Sequence, residues 1–287
     1  MSQIREIAQD TDRGVIHPPA GDTHFDRTTA VRRIEGDMDA PHGSVYFAAD
    51  LDESWASLLG VHGGYVTALA VRAAELLAPN REVRTVATSF LRPAQIGPAE
   101  IVLDVVRSGR SFGTVAARLR QHGRDVTNTR ITMLAPVAGE EWSDPVVARP
   151  APIGDCVRFT PPPMIKHFAQ ADLLIDPATI PIGGADETRI AGHVRPNETR
   201  PLDAAWLTMI GDWFPPSPFR RHQPPTGGVS IDYTVHIHRT LPASADLWLE
   251  GVFEARTSAG GIALERGTLC TPDGLAVAET FHTRWTG

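Results

Sequence analysis

His62-Gly63-Gly64-Tyr65-Val66-Thr67-Ala68-Leu69-Ala70-Val71-Arg72-Ala73-Ala74-Glu75-Leu76-Leu77-Ala78-Pro79 is the stretch that decides how this chain folds. Val66, Leu69, Ala70, Ala73, Leu76 and Leu77 recur at i, i+3, i+4 and i+7, the period of an α-helix. Two glycines open the run, and Pro79 stops it because proline lacks the N–H that would continue the ladder. Arg72 and Glu75 are its only charges. A helix this apolar must be covered on most sides, so the spacing predicts a central helix over 63–78 wrapped by other elements.

The residues that follow supply the wrapping. Their period falls to two, and strands fit Val83–Leu91, Ile101–Arg107, Thr114–Gln121 and Val126–Leu134. Arg92-Pro93, Ser108-Gly109 and His122-Gly123 separate them, short turn-forming links of the kind that join antiparallel neighbours. Upstream, Ser44–Asp50 carries Val, Tyr and Phe suited to a pleated surface. The plan then repeats: a strand over Thr188–Val194, Asp203 as an N-cap, and a helix to about Trp213 with Trp206, Leu207, Ile210 and Trp213 on one side. Strands follow at Gly228–His238, Leu247–Ala255, Gly261–Leu269 and Leu275–Trp285. A repeat of about 150 residues is too long for a solenoid and points to a duplicated unit. The expected organisation is a polar N-terminal arm or added strand (1–25), a first unit (26–140), a proline-rich connector (141–180) and a second unit (181–287). The fold class is α+β, two fused units of one long helix in an antiparallel sheet.

Composition narrows the function. The 287 residues carry a net charge of −7, which leaves no electrostatic footprint for nucleic acid. Lys166 is the only lysine and lies beside Pro161-Pro162-Pro163, a poor setting for Schiff-base chemistry. Cys156 and Cys270 have no metal-ligand spacing, so neither a metal nor another cofactor is expected. The first residues show no apolar signal region and no run approaches 18 apolar residues, which predicts a cytoplasmic protein without a membrane span. Homo-oligomerisation stays open.

Local motifs sharpen the reading. His62-Gly63-Gly64-Tyr65, Ser89-Phe90-Leu91-Arg92-Pro93 and Gly109-Arg110-Ser111-Phe112 are joined in the second half by Ile210-Gly211-Asp212, Val229-Ser230-Ile231-Asp232-Tyr233 and Val277-Ala278-Glu279-Thr280-Phe281-His282. Together they resemble the acyl-CoA thioesterase II family over residues 40–285, which implies a double hotdog fold and hydrolysis of acyl-CoA or acyl-carrier thioesters. In that family an Asp, a Thr and a Gln hold a water. Matched residue by residue, these fall on Asp212, Ser230 and His282, so Ser keeps the hydroxyl while His replaces the amide. The resemblance also places the site across the two units, with one complete site per chain, since Arg72 stands at the comparable depth of the first helix.

The residues fit that chemistry on their own terms. A carboxylate can activate water as a general base. The N–H groups of Gly63 and Gly64, aided by the helix dipole, can bind the oxygen that becomes negative, with His62 beside them. Asp212 beside His282 is expected to raise the imidazole pKa. Strict alternation sets Ser230, Asp232, Thr234, His236 and His238 on one strand face, so Ser230 is expected on the polar side. Arg107 and Arg110 are candidates for the coenzyme's phosphates. Gly109-Arg110-Ser111-Phe112-Gly113 matches the nucleophile-elbow pattern, but alternating residues follow it where that motif needs a helix. A double hotdog that binds acyl thioesters without turnover, and a hotdog hydratase, remain the alternatives.

Overall fold

The computed structural model describes residues 21–34, 43–144, 149–181, 183–221, 228–244 and 247–287. Most of the expected N-terminal arm lies outside these. From residue 21 the chain turns into a short helix, α1 (His24–Thr28), with a capping box between Thr23 and Asp26. The first unit then runs β1 (Arg32–Ile34), β2 (Ser44–Leu51), α2 (Gly63–Leu77), β3 (Glu82–Phe90), β4 (Gly97–Ser108), β5 (Phe112–Gln121) and β6 (Arg124–Leu134). Helix α2 forms where the 3.6-residue period predicts it, and Tyr65, Val66, Ala68, Leu69, Ala70, Val71, Ala73 and Ala74 are all buried.

The proline-rich stretch holds two strands that its sequence did not announce, β7 (Val157–Arg158) and β8 (Ala171–Ile175), with a 3-10 turn at Lys166–Gln170. The second unit continues with β9 (Ile190–Pro196), α3 (Ala204–Ile210), β10 (Val229–Ile237), β11 (Leu249–Ala259), β12 (Ile262–Cys270) and β13 (Ala276–Trp285). Asp203 caps α3 as expected, accepting from the Trp206 N–H at 2.9 Å. The helix is shorter than its apolar pattern suggested. It ends at Ile210, because Gly211 caps it and Pro215-Pro216 cannot prolong it, so Asp212 lies in the turn beyond the helix.

The thirteen strands of the described residues form one antiparallel sheet in the order β1-β2-β4-β5-β6-β3-β10-β13-β12-β11-β9-β8-β7. The second unit's order is the first unit's reversed about the β3–β10 seam, as a pseudo-two-fold duplication requires. At the seam Ser89 pairs with Asp232 and Thr85 with His236, and Ser89 donates to the Asp232 carboxylate at 2.7 Å. Helices α2 and α3 meet on the sheet's inner face. A Cβ on Gly64 would lie 2.5 Å from the Met209 carbonyl oxygen, so this glycine permits the helices' close approach.

Candidate active site at the junction of the two units

The start of α2 in the first unit faces the end of α3 in the second. The Gly64 N–H donates to Asp212 Oδ2 at 3.0 Å, which sets a carboxylate against the positive end of a fifteen-residue helix. His62, the N-cap, ties down both partners. Its Nδ1 accepts from the Tyr65 N–H at 3.2 Å, so its proton sits on Nε2, which donates to the Asp212 carbonyl at 2.8 Å. Burial holds His62 below the ordinary imidazole range despite the attraction of Asp212. Gly63 has no room for a side chain: a Cβ would meet Phe90 Cζ at 2.9 Å and Asp212 Oδ2 at 3.1 Å.

Asp212 Oδ1 points the other way, 3.6 Å from His282 Nδ1 and 3.7 Å from Arg284 Nη2. Ser230 completes this side. Simple alternation would turn it outward, but the β10–β13 register shifts between Ser230 and Asp232. Ser230 thereby pairs with Arg284 and Tyr233 with His282, so the bulge at Ile231 puts Ser230 and Tyr233 on the same inner face. Ser230 is half-buried there, and Arg284 Nη1 donates to its Oγ at 3.0 Å. The hydroxyl can then donate to His282 Nδ1 at 3.3 Å, while His282 Nε2–H donates to the Gly211 carbonyl at 3.4 Å.

His282 is 1% exposed and stacks on Tyr233 with centroids 4.5 Å apart. Burial, and then the Arg284 charge, hold its pKa well below the ordinary value. This reverses the sequence expectation. Asp212 was to raise it, but desolvation of the imidazolium and the Arg284 charge outweigh the Gly211 carbonyl bond that favours it.

The other candidates are not brought here. Arg107 and Arg110 lie at the β4–β5 hairpin, where Arg107 stacks over Phe112 at 4.3 Å. Phe112 pairs with Leu134 and Leu134 with Glu82, whereas Phe90 at the site is the opposite end of β3. Eight residues of strand, roughly 27 Å, separate the two ends. Gly109–Gly113 is this same hairpin, with strand on both sides and no helix behind Ser111. Among the described residues no group of His, Cys, Asp and Glu is placed to hold a metal ion, and no helix is long and apolar enough to cross a membrane.

The family model for the acyl-CoA thioesterase N-terminal domain matches residues 51–135, and that for the acyl-CoA thioesterase C-terminal domain matches residues 134–285. The chain belongs to the acyl-CoA thioesterase family. It is an enzyme that hydrolyses acyl-CoA thioesters. Solved structures agree on the fold. A hot dog protein of unknown function from Alicyclobacillus acidocaldarius superposes with a TM-score of 0.80 at 20% identity, covering 93% of this chain and 99% of that one. A thioesterase II candidate from Thermobifida fusca gives 0.77 at 22% identity over 95% and 100% of the two chains. An acyl-CoA thioesterase II from Mycobacterium marinum gives 0.71 at 20% over 92% and 98%. No curated protein matches the sequence.

The thioesterase's pseudo-symmetric counterpart of this site is built differently. Where the first has Asp212 against a helix start, the second has Arg72 on α2 against Asp203, the cap of α3, at 3.0 Å. Arg72 also meets Asp26 at 3.3 Å and Glu75 at 3.2 Å, and Arg200 meets Asp26 at 3.0 Å and Asp203 at 2.8 Å. A guanidinium here has no capacity to act as a base. Around the Asp212 site, sequence reasoning missed Arg284, its buried partner Glu265 at 2.5 Å, and Tyr233. Only strand register reveals Glu265 and Tyr233. A purely local signal existed for Arg284, two residues beyond His282 and so on its face.

Proposed function

We propose that hydrolysis runs through a water activated by Asp212 at the junction of the two units, with Ser230 and His282 holding it. Support comes above all from one geometry: a carboxylate of the second unit anchored by Oδ2 to the helix start of the first, its Oδ1 turned toward Ser230 and His282. Water there donates one hydrogen to Asp212 Oδ1 and the other to Ser230 Oγ. As its oxygen bonds to the thioester carbonyl carbon, its proton passes to Oδ1. The carbonyl oxygen becomes negative and is met by the N–H of Gly63, which makes no hydrogen bond among the described residues, while that of Gly64 holds the base. Collapse breaks the C–S bond, and the coenzyme's thiolate takes the proton back from Asp212. Neutral His282 fixes the serine hydroxyl by accepting from it.

Within this reading the enzyme works in the cytoplasm, where Cys156 and Cys270 stay as free thiols, and both coenzyme A and acyl-carrier thioesters fit its chemistry. Asp212→Asn tests the mechanism. Loss of a general base lowers kcat by about 10² to 10⁴ with little change in KM. Wild-type turnover in this variant would move the base elsewhere.

A further inference from the structure

His167 lies far from both halves of the site in sequence and touches neither Asp212 nor the start of α2 directly. Yet its ring stacks on His62, with centroids 4.3 Å apart and planes 26° from parallel. Adjacent peptide units hang the two imidazoles side by side. The Trp55 carbonyl accepts from the His62 N–H at 2.9 Å, and the Ala56 carbonyl from the His167 N–H at 3.2 Å. Lys166 reinforces the second attachment through its own N–H to Ala56 at 2.9 Å and a salt bridge to Glu53. Trp213, the neighbour of Asp212, stands edge-on to both rings, 5.5 Å from His62 and 5.1 Å from His167. Phe168 packs against His167 at 4.3 Å and closes the far side.

The His167 ring and the edge of Trp213 pack the His62 imidazole in place. Its two ring nitrogens each hold one half of the site, the Tyr65 N–H of α2 and the Asp212 carbonyl beyond α3, so a small rotation breaks both contacts. The His167 ring covers one face of that imidazole. Resting on the reading that Asp212 acts at this junction, we propose that His167 is a positioning residue of the thioesterase, a ring supplied by the inter-unit connector that clamps His62 and, through it, Asp212. Its Nδ1 is buried without a hydrogen-bond partner, so the contact it offers the site is that of the ring face rather than of that nitrogen.

The test compares His167→Ala, which removes the ring, with His167→Phe, which keeps it and deletes the orphaned nitrogen. Two readouts are taken: kcat and KM on an acyl-CoA, and the tautomer of His62 from its ring nitrogen chemical shifts. His167→Ala should lower kcat about 10-fold or more with KM nearly unchanged, since displacing a catalytic group by about an ångström costs as much. It should also let His62 sample both tautomers. His167→Phe should restore the single Nε2–H tautomer and bring kcat to within about 3-fold of wild type. Equal losses in both variants, or a shifted tautomer with undiminished kcat, would overturn the proposal while leaving Asp212 in place. Undiminished turnover in Asp212→Asn would instead remove the site itself, and the clamp's role with it.

Discussion

Arg284 shows how much of the site is set by one buried charge, 3.7 Å from the Asp212 carboxylate. Its guanidinium is 3% exposed, takes both Nε and Nη2 to Glu265, and reaches Ser230 with Nη1. Glu265 is itself buried and held by the Ser217 N–H at 2.6 Å. Arg284→Met should therefore do two things. It strands a buried carboxylate, which costs about 3–5 kcal/mol of stability, and it frees Ser230 Oγ, so kcat falls even where the fold survives. Denaturant unfolding and steady-state kinetics on the same preparation separate the two effects. His282→Gln is the milder companion. Because burial and Arg284 keep His282 neutral, the amide replaces a neutral acceptor, and kcat at pH 8 should stay within about 5-fold of wild type. A collapse in kcat would show that the imidazole does more than accept from Ser230.

At the scale of elements, the close crossing of α2 and α3 joins the Asp212 carboxylate to the helix start. Gly64→Ala inserts a methyl 2.5 Å from a backbone carbonyl of α3, which cannot swing aside as a side chain would. The helices must separate, at a cost of about 1–3 kcal/mol, and the Gly64–Asp212 contact opens with them. A lowered melting temperature together with a lowered kcat checks this, whereas an unchanged kcat would show that the contact tolerates separation. Gly63→Ala meets Phe90 and the carboxylate itself, and should lower kcat with a smaller loss of stability. The bulge in β10 is the other decisive element. One extra residue at Ile231 turns Ser230 inward, since in an unbulged register Ile231 would stand against Arg284 instead.

At the scale of the whole molecule, burial disfavours the charged form of three histidines among the described residues. His62, His167 and His282 are all held below the ordinary imidazole value, each chiefly by burial. The unfolded chain binds protons at these positions from about pH 6.5 downward, and the folded one does not until lower pH. Stability is then fully present above that value and is lost as pH falls through it toward the folded pKa values. Glu75 has the opposite sign over a neighbouring window. Burial raises it to about 7, against the pull of Arg72, so stability falls as pH climbs from the ordinary carboxylate value toward neutrality. Melting temperature plotted against pH should rise from about pH 5 to 6.5 less steeply in His282→Gln than in wild type. Glu75→Gln should raise the melting temperature at pH 8 and change little at pH 5. Parallel curves for wild type and both variants would mean that neither group carries its proton differently in the folded state.

Helix α2, the strand meanders and the duplicated plan were legible because each rests on local periodicity: Val66, Leu69, Ala70 and Ala73 specify a helix whatever lies around it. Asp212 and Gly63-Gly64 were legible for a related reason, since their motifs are contiguous along the chain. Ser230 was misplaced by the same logic, because an alternation rule has no knowledge of a bulge that only pairing with β13 creates. The direction of the His282 shift depended on burial and on Arg284, neither of which adjacent residues report. Arg107 and Arg110 were read as near the coenzyme from residue type alone, and the sheet register sets them at the other end of β3. His167 had no local signal. Its place beside His62 follows from backbone bonds that the connector makes to Ala56, more than a hundred residues earlier in the chain. Periodicity and contiguous motifs thus determined the architecture and pointed to Asp212, while register, burial and long-range hydrogen bonds decided what surrounds it.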